Sequence, residues 1–120
     1  MPTTSFTQLQ VWQKARQLTR EVYKLTERFP QHQLYSLTAQ TQRAVLSIGA
    51  NIAEGYGRRS ARDKAHDYTM SKSSGDELLH YFFVAEDLGY HQGVPGLIQL
   101  LNSICAMLVR LTQKTLTDFR

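Results

Sequence analysis

The sequence has little of what several classes of protein require. It contains a single cysteine, Cys105, which excludes an internal disulfide and is typical of a chain kept in a reducing compartment. Unbroken apolar runs such as residues 81–85 are far shorter than the ~20 apolar residues that cross a bilayer. The first residues show no charged stretch followed by an apolar run, as a secretory signal would. These absences predict a cytoplasmic protein that does not enter the membrane.

Positive charge is missing from residues 73–109, a stretch that holds four acids and no lysine or arginine. Residues 1–60 have the opposite bias, with eight lysines and arginines against three glutamates. The whole chain has a net charge of +4 and a pI of about 9.4. A surplus of this size suits a polyanion ligand and is also common without one. The segregation of the charge is therefore more informative than its total.

Apolar residues at helical spacing are abundant. The chain has 120 residues, enough for one domain, and 42% of them are hydrophobic. Four segments place apolar residues three and four positions apart, which keeps each stripe on one face of a helix. The four stripes are Val11, Ala15, Leu18, Val22, Leu25 and Phe29; Leu34, Leu37, Thr41, Ala44, Ile48 and Ile52; Ala61, Ala65, Tyr68, Gly75, Leu79 and Phe82; and Leu97, Leu101, Ile104, Leu108, Leu111 and Thr115.

Helix-ending residues separate the four segments. Pro30 stops the first. Gly55 and Gly57 are expected to stop the second, and Gly89 the third, because glycine adopts the left-handed conformation after a last turn at little steric cost.

Helix-starting residues complete the pattern, with Ser60 as the N-cap of the third segment and Pro95 in the first turn of the fourth. The connections are short, which makes consecutive helices antiparallel neighbours. The sequence predicts an all-α fold, an antiparallel up-down-up-down four-helix bundle over residues 9–118, behind an N-terminal tail of residues 1–8.

Two glycines, Gly49 and Gly75, fall inside the helical segments, where each costs ~1 kcal/mol relative to alanine. Both lie among serines and alanines. We expect the second and third helices to approach closely there; exposed glycines without a packing role are the alternative.

The third and fourth segments carry more apolar residues than one buried stripe requires. The surplus residues are Leu78, Tyr81, Phe83, Val84, Val94, Ile98, Leu100, Cys105, Met107, Val109 and Leu116. A four-helix monomer buries one face of each helix, and exposed apolar patches usually mark protein interfaces. The sequence therefore predicts a homo-oligomer.

The predicted topology collects positive side chains at one end, where the first helix starts, the second and third helices connect and the fourth ends. The cations expected there are Lys14, Arg16, Arg58, Arg59, Arg62, Lys64, Arg110, Lys114 and Arg120, offset by Glu54, Asp63, Asp67 and Asp118. Such an end could hold a nucleic-acid backbone through phosphate contacts. Ordinary solvating residues on a basic protein are the alternative.

Patterns for catalysis or cofactor binding are weak. Residues 77–80 match the Glu-x-x-His element of di-iron bundles, but those sites need two such elements and two further glutamates. His32, His66 and His91 are scattered, and we expect surface or partly buried side chains. Cys105 lies in an apolar helix and should pack as a small hydrophobe. The glycines at 55 and 57 lack the strand and lysine of a phosphate loop. We expect no enzyme activity, no metal and no cofactor.

Several strings together resemble a known family. They lie at residues 6–15, 25–30, 42–58, 74–78 and 87–90, and Asn-Ile-Ala-Glu-Gly at residues 51–55 is the most specific. The chain resembles the bacterial four-helix bundle proteins encoded in 23S ribosomal RNA intervening sequences, which are distantly related to the accessory variability determinant of diversity-generating retroelements.

The resemblance implies protomers assembled as a ring, a pentamer, without known catalytic activity. The retroelement relative is thought to bind nucleic acid and a reverse transcriptase. By analogy, Arg43 and Arg58 become candidates for nucleic-acid contact, with Arg59, Arg62 and Lys64 beside Arg58. The expected function is a non-catalytic homo-oligomer that binds RNA through a basic end or pore. An adaptor oligomer that binds a protein partner is the alternative, and a metal-dependent bundle enzyme is a distant third.

Overall fold

The computed structural model describes residues 5–118, which form four long helices and no strand. The long helices are α1 (Gln10–Thr26), α2 (Ala39–Gly57), α3 (Ala61–Asp87) and α4 (Pro95–Asp118). The all-α prediction is confirmed. The predictions made for the first four residues of the tail and for Arg120 lie outside the described residues.

The four helices form the predicted antiparallel bundle. α1 packs against α2 and α4, and α3 packs against the same two helices from the opposite corner. The molecule measures 48 × 25 × 24 Å, and its length is set by α3, whose 27 residues span about 40 Å. Because the chain reverses direction at each connection, the beginning of α1, the α2–α3 turn and the end of α4 share one end of the bundle.

A single-turn 3-10 helix, Phe6–Gln8, belongs to the segment predicted to be a tail. It lies against α1 and α2, and the ring of Phe6 meets that of Trp12 edge-on at 5.2 Å between centroids.

The core follows the first predicted stripe closely, since all six of its residues are buried, five in α1 and Phe29 just after it. In the second stripe the exception is Leu34, which lies before α2 and is 39% exposed. The backbone at Ser36 leaves the helical path with φ −126° and ψ −105°, so the regular helix begins at Ala39. The rotation of the chain before that kink turns Leu34 away from the core. Val45, outside the predicted stripe, is fully buried.

In α3 the fully buried leucine is Leu78 and the half-buried one is Leu79, the reverse of the prediction. Two polar residues of the same helix, Asp67 and Ser71, are also buried.

α4 is the least buried of the helices. Leu101, Ile104 and Leu108 enter the core, whereas Leu97 and Leu111 are half-buried. By length and composition α4 is the one helix within residues 5–118 that could cross a membrane, with a mean hydropathy of 1.3 over 18 residues. α4 contains no long unbroken apolar run, because polar residues such as Gln99, Asn102 and Ser103 interrupt it. Core helices of globular bundles have the same length and composition, but only 17% of this window is buried.

The caps of α3 agree with the prediction. The hydroxyl of Ser60 accepts a hydrogen bond from the backbone N–H of Asp63 at 3.0 Å. At the other end Gly89 has φ +81°, the left-handed conformation that glycine adopts easily.

The prediction for the end of α2 was right about its place, since the helix ends at Gly57, and wrong about its cause. Gly55 and Gly57 both lie inside the helix, and neither has a positive φ. The helix ends where Arg58 turns to an extended conformation. Gly55 is instead a contact residue, because a Cβ built there would lie 2.8 Å from Cε1 of Tyr68 and 3.1 Å from Cβ of Asp67. Glycine is needed at this position for the close approach of α3.

The sequence predicted the wrong partner helices for Gly49 and Gly75. A Cβ at Gly49 would lie 3.8 Å from Trp12 and 3.9 Å from Ala15, both in α1. A Cβ at Gly75 would lie 2.8 Å from the sulfur of Cys105 in α4. α2 and α3 do approach closely beside these two glycines, where Ser71 bonds the carbonyl of Ile48 and Ser47 bonds Ser74. Gly49 and Gly75 themselves face other helices, and Gly55 is the glycine that lies in the α2–α3 contact.

Replacing Gly55 with alanine is expected to lower the free energy of unfolding by about 1–3 kcal/mol, because the new methyl group overpacks the contact with Tyr68. The matched control is Gly57→Ala, two residues away, where a Cβ meets nothing within 4 Å. That substitution should raise stability by about 0.4–1 kcal/mol through the unfolded state. Urea denaturation measures both, and equal stability of the two variants would contradict the contact.

Candidate nucleic-acid interface

The end of the bundle where α1 begins and α4 ends carries the predicted concentration of positive charge. We call it the basic pole. Its cations are Lys14, Arg16, Arg58, Arg59, Arg62, Lys64, Arg110 and Lys114. Four acids accompany them, namely Glu54, Asp63, Asp67 and Asp118. A cleft lined by residues of all four helical ends lies at this pole, so residues distant in sequence meet there as the topology predicted.

Most cations of the basic pole have no carboxylate partner. Within residues 5–118 the structure has three ion pairs, and Arg58 is the one cation of the pole that takes part. Arg59 and Arg62 are exposed on the α2–α3 turn and the first turn of α3. Arg16 lies 5.6 Å from the centre of the Trp12 ring. The positive charge of the pole is therefore largely available to an external anion.

Arg58 is held in place by a buried acid. Its Nε donates a hydrogen bond to Oδ2 of Asp67 at 2.7 Å, and the Asp67 side chain is only 7% exposed. The hydrogen bond to Asp67 and the charge of that carboxylate raise the pKa of Arg58. Its backbone N–H also bonds the carbonyl of Gly55 at 3.2 Å. Arg58 thus ties the end of α2 to the second turn of α3.

Lys64 has a different arrangement. Its Nζ donates to the backbone carbonyl of Tyr56 at 2.6 Å and lies 5.4 Å from the centre of the Tyr56 ring. An ammonium group has three donors, so two remain for another partner.

Arg43 does not belong to the basic pole. It precedes Arg58 by fifteen residues in α2, about 22 Å along the helix axis, and its side chain bonds that of Gln40. The pKa of Tyr81 in α3 is raised, first by desolvation and then by Glu77, and the positive charge of Arg43 partly opposes this rise. Of the five candidate residues, the structure brings Arg58, Arg59, Arg62 and Lys64 together and places Arg43 elsewhere.

Three residues of this site escaped the sequence argument. Asp67 was counted as an offsetting surface charge, although its side chain is buried against Arg58. Tyr56 and Tyr68 line the cleft. Tyr68 was assigned to the core stripe, and the only available signal was its position one turn from Lys64 at the basic end of α3.

The residues considered for catalysis lie apart. Glu77 and His80 are both exposed on α3, and no group of three His, Cys, Asp or Glu residues among those described could hold a metal ion.

His91 is buried, contrary to expectation. Its Nε2 lies 2.9 Å from the carbonyl of Phe82, and its Nδ1 accepts from the N–H of Gly93 at 3.0 Å. Burial raises the pKa of the Cys105 thiol, with a smaller contribution from Asp76, which disfavours the reactive thiolate.

The model of a protein family described as 23S rRNA-intervening sequence protein matches residues 7–110, nearly the whole chain. No curated protein matches it.

The pairing of Arg58 with Asp67 can be tested by a double-mutant cycle. Arg58→Gln and Asp67→Asn should each lower the free energy of unfolding, and the double variant should lose little more than either single one, since both remove the same interaction. Arg59→Gln, at the neighbouring unpaired arginine, should leave stability unchanged. Additive losses in urea denaturation would mean that the two side chains do not interact in solution.

Proposed function

The chain belongs to the 23S rRNA-intervening sequence protein family, as its motifs predicted, and from that premise we propose that it is a non-catalytic cytoplasmic protein, a homo-oligomer that binds RNA through its basic pole. The protomers form a ring, a pentamer as the family resemblance implies, so that several poles present positive charge on one side. Phosphate groups are the main ligands, and the proposed binding has little base specificity.

The observation that carries this proposal is the set of unpaired cations at the basic pole. Lysines and arginines that already bond carboxylates would gain little from a phosphate, because the first interaction has to be broken. Arg59, Arg62 and Lys114 have no carboxylate within 4 Å in the part of the chain that the structure describes. They come from the α2–α3 turn, α3 and α4, so the charge is spread over a surface instead of one helix face.

The apolar surface of α4 and its neighbour supports self-association. Val109 and Leu116 of α4 are 43% and 45% exposed, and Phe83 of α3 is 50% exposed. Apolar surface that is contiguous on the outside of a protein usually marks an interface with another protein. The proposed subunit contacts therefore use the outer surface of α4.

A second candidate function, a protein-binding adaptor, is favoured by one groove. Thr69 and Lys72 of α3 face Leu108, Val109 and Thr112 of α4 across a mostly apolar depression of about 250 Å³. A groove of this kind could receive an apolar segment of another protein.

The RNA proposal is tested with a single-stranded RNA of mixed sequence at several salt concentrations. Affinity for wild type should fall steeply with salt. The triple variant Arg59→Gln, Arg62→Gln, Lys114→Gln should lower the slope of log affinity against log salt by about 2, since each lost contact to a single strand contributes about 0.7.

The matched control for that experiment is Arg20→Gln, Lys24→Gln, Arg28→Gln, which removes the same charge from the second half of α1 and the residues just after it, toward the opposite end of the bundle. It should bind with the wild-type slope. Wild type without salt-sensitive binding would favour the adaptor, and equal losses in both triple variants would show that only net charge matters.

Self-association is tested by sedimentation. Wild type should sediment as an oligomer at micromolar concentration, and Val109→Glu with Leu116→Glu should give monomers with unchanged helical circular dichroism. Leu46→Glu, at a leucine of α2 that is 50% exposed, is the control and should leave the oligomer intact. A monomeric wild type would contradict the proposal.

A further inference from the structure

The cleft at the basic pole has the composition of a binding site. It measures about 440 Å³, within the range of small-ligand pockets. Its walls come from the segment before α1, the end of α2, the start of α3 and the last turns of α4. The lining residues are Leu9, Tyr56, Lys64, Tyr68, Leu111, Lys114, Thr115 and Asp118. Apolar surface, two aromatic rings and two ammonium groups thus meet in one concavity.

Tyr68 supplies a polar group that has no hydrogen-bond partner among residues 5–118. The residue is 2% exposed, yet its hydroxyl makes no hydrogen bond to any described residue. Every fully buried side-chain oxygen or nitrogen among those residues has a partner, so this hydroxyl is not fully enclosed, and Tyr68 is one of the residues that line the cleft. Burial, followed by Tyr56 and Asp67, raises the pKa of Tyr68, which keeps the hydroxyl protonated as a donor.

The position of the Tyr68 side chain is fixed by its contacts with neighbouring residues of α2 and α3. Its ring lies against Gly55, where a Cβ would come within 2.8 Å. The neighbouring Asp67 is bonded to Arg58. An aromatic side chain held this firmly loses little conformational freedom when a ligand binds, which favours recognition.

The two lysines provide positive charge at the same cleft. Lys64 uses one donor on the carbonyl of Tyr56 and keeps two for a ligand. Lys114 has no carboxylate within 4 Å among residues 5–118. Asp118 also lines the cleft, and its carboxylate can accept from an amino group of a base while it disfavours an anion beside it.

We propose that this cleft binds one unpaired nucleotide of a single-stranded RNA, with its phosphate at Lys64 and Lys114, its base against the ring of Tyr56 and a polar group at the hydroxyl of Tyr68. The inference rests on the proposed function, which it narrows from a charged surface to a defined site. Bases inside a duplex are paired and stacked and do not enter such a cleft, whereas single-stranded bases stack readily on aromatic side chains.

The direct test is titration of the full-length protein with adenosine 5′-monophosphate and, separately, with inorganic phosphate. Nucleotide should bind more tightly than phosphate, because the base adds contacts. Tyr68→Phe, which keeps the ring and removes the hydroxyl, should weaken nucleotide binding about fivefold, the effect of one hydrogen bond. Lys114→Gln should weaken the binding of both ligands.

Two conservative controls lie away from the cleft. Tyr35→Phe changes a tyrosine that is 92% exposed between α1 and α2, and Lys24→Gln changes a lysine at the other end of the bundle. Both should bind nucleotide as wild type does. Equal affinity for nucleotide and phosphate, or no effect of Tyr68→Phe, would contradict the proposal that the cleft binds a nucleotide.

Titration with single-stranded and duplex RNA separates this inference from the function on which it rests. If the protein prefers single-stranded RNA and Tyr68→Phe reduces that preference, the result supports both the nucleotide site and the proposed function. If both forms bind with equal, salt-sensitive affinity and Tyr68→Phe has no effect, the cleft is not a nucleotide site. RNA binding through the basic pole would still stand. Nucleotide binding that depends on Tyr68 without any RNA binding supports the cleft and overturns the proposed function.

Discussion

The close approach of α2 and α3 is the constraint on which the rest of this structure depends. Gly55 lets the ring of Tyr68 lie where a side chain would otherwise stand. Farther along the same seam the hydroxyl of Ser71 donates to the carbonyl of Ile48 at 2.7 Å, and the hydroxyls of Ser47 and Ser74 bond at 2.8 Å. Small residues and buried hydrogen bonds fix both the distance and the register of these helices, because neither partner can slide without leaving a polar group unpaired.

That seam determines the chemistry of the basic pole. With α2 and α3 in register, Arg58 reaches Asp67 and closes the turn between the helices. The arginine of the family motif therefore holds the turn, while the exposed Arg59 beside it carries free charge. The same packing orients Tyr68 toward the cleft. Gly55, which belongs to the most specific segment of the resemblance at residues 51–55, thus supports the candidate site without belonging to its surface.

α4 contributes to the core with only part of its apolar surface. α4 contributes Leu101, Ile104 and Leu108 to the core and leaves much of its remaining apolar surface partly exposed. One stripe suffices to close a four-helix bundle, so additional apolar surface does not stabilise the monomer. α4 therefore has two roles: its last turns contribute Lys114 to the basic pole, and its exposed apolar side chains form the surface that we propose for subunit contacts.

The sequence by itself determined the number of helices, their order and most of their buried stripes, because a period of 3.6 residues and local caps such as Ser60 and Gly89 depend on neighbouring residues alone. It also predicted that distant cations meet at one end, since short connections leave little choice of topology. Tertiary structure decided the partners of Gly55 and Gly75, the pairing of Arg58 with Asp67 and the burial of Tyr68 beside the cleft. These depend on how each helix is rotated and shifted against its neighbours, which periodicity within one helix does not specify.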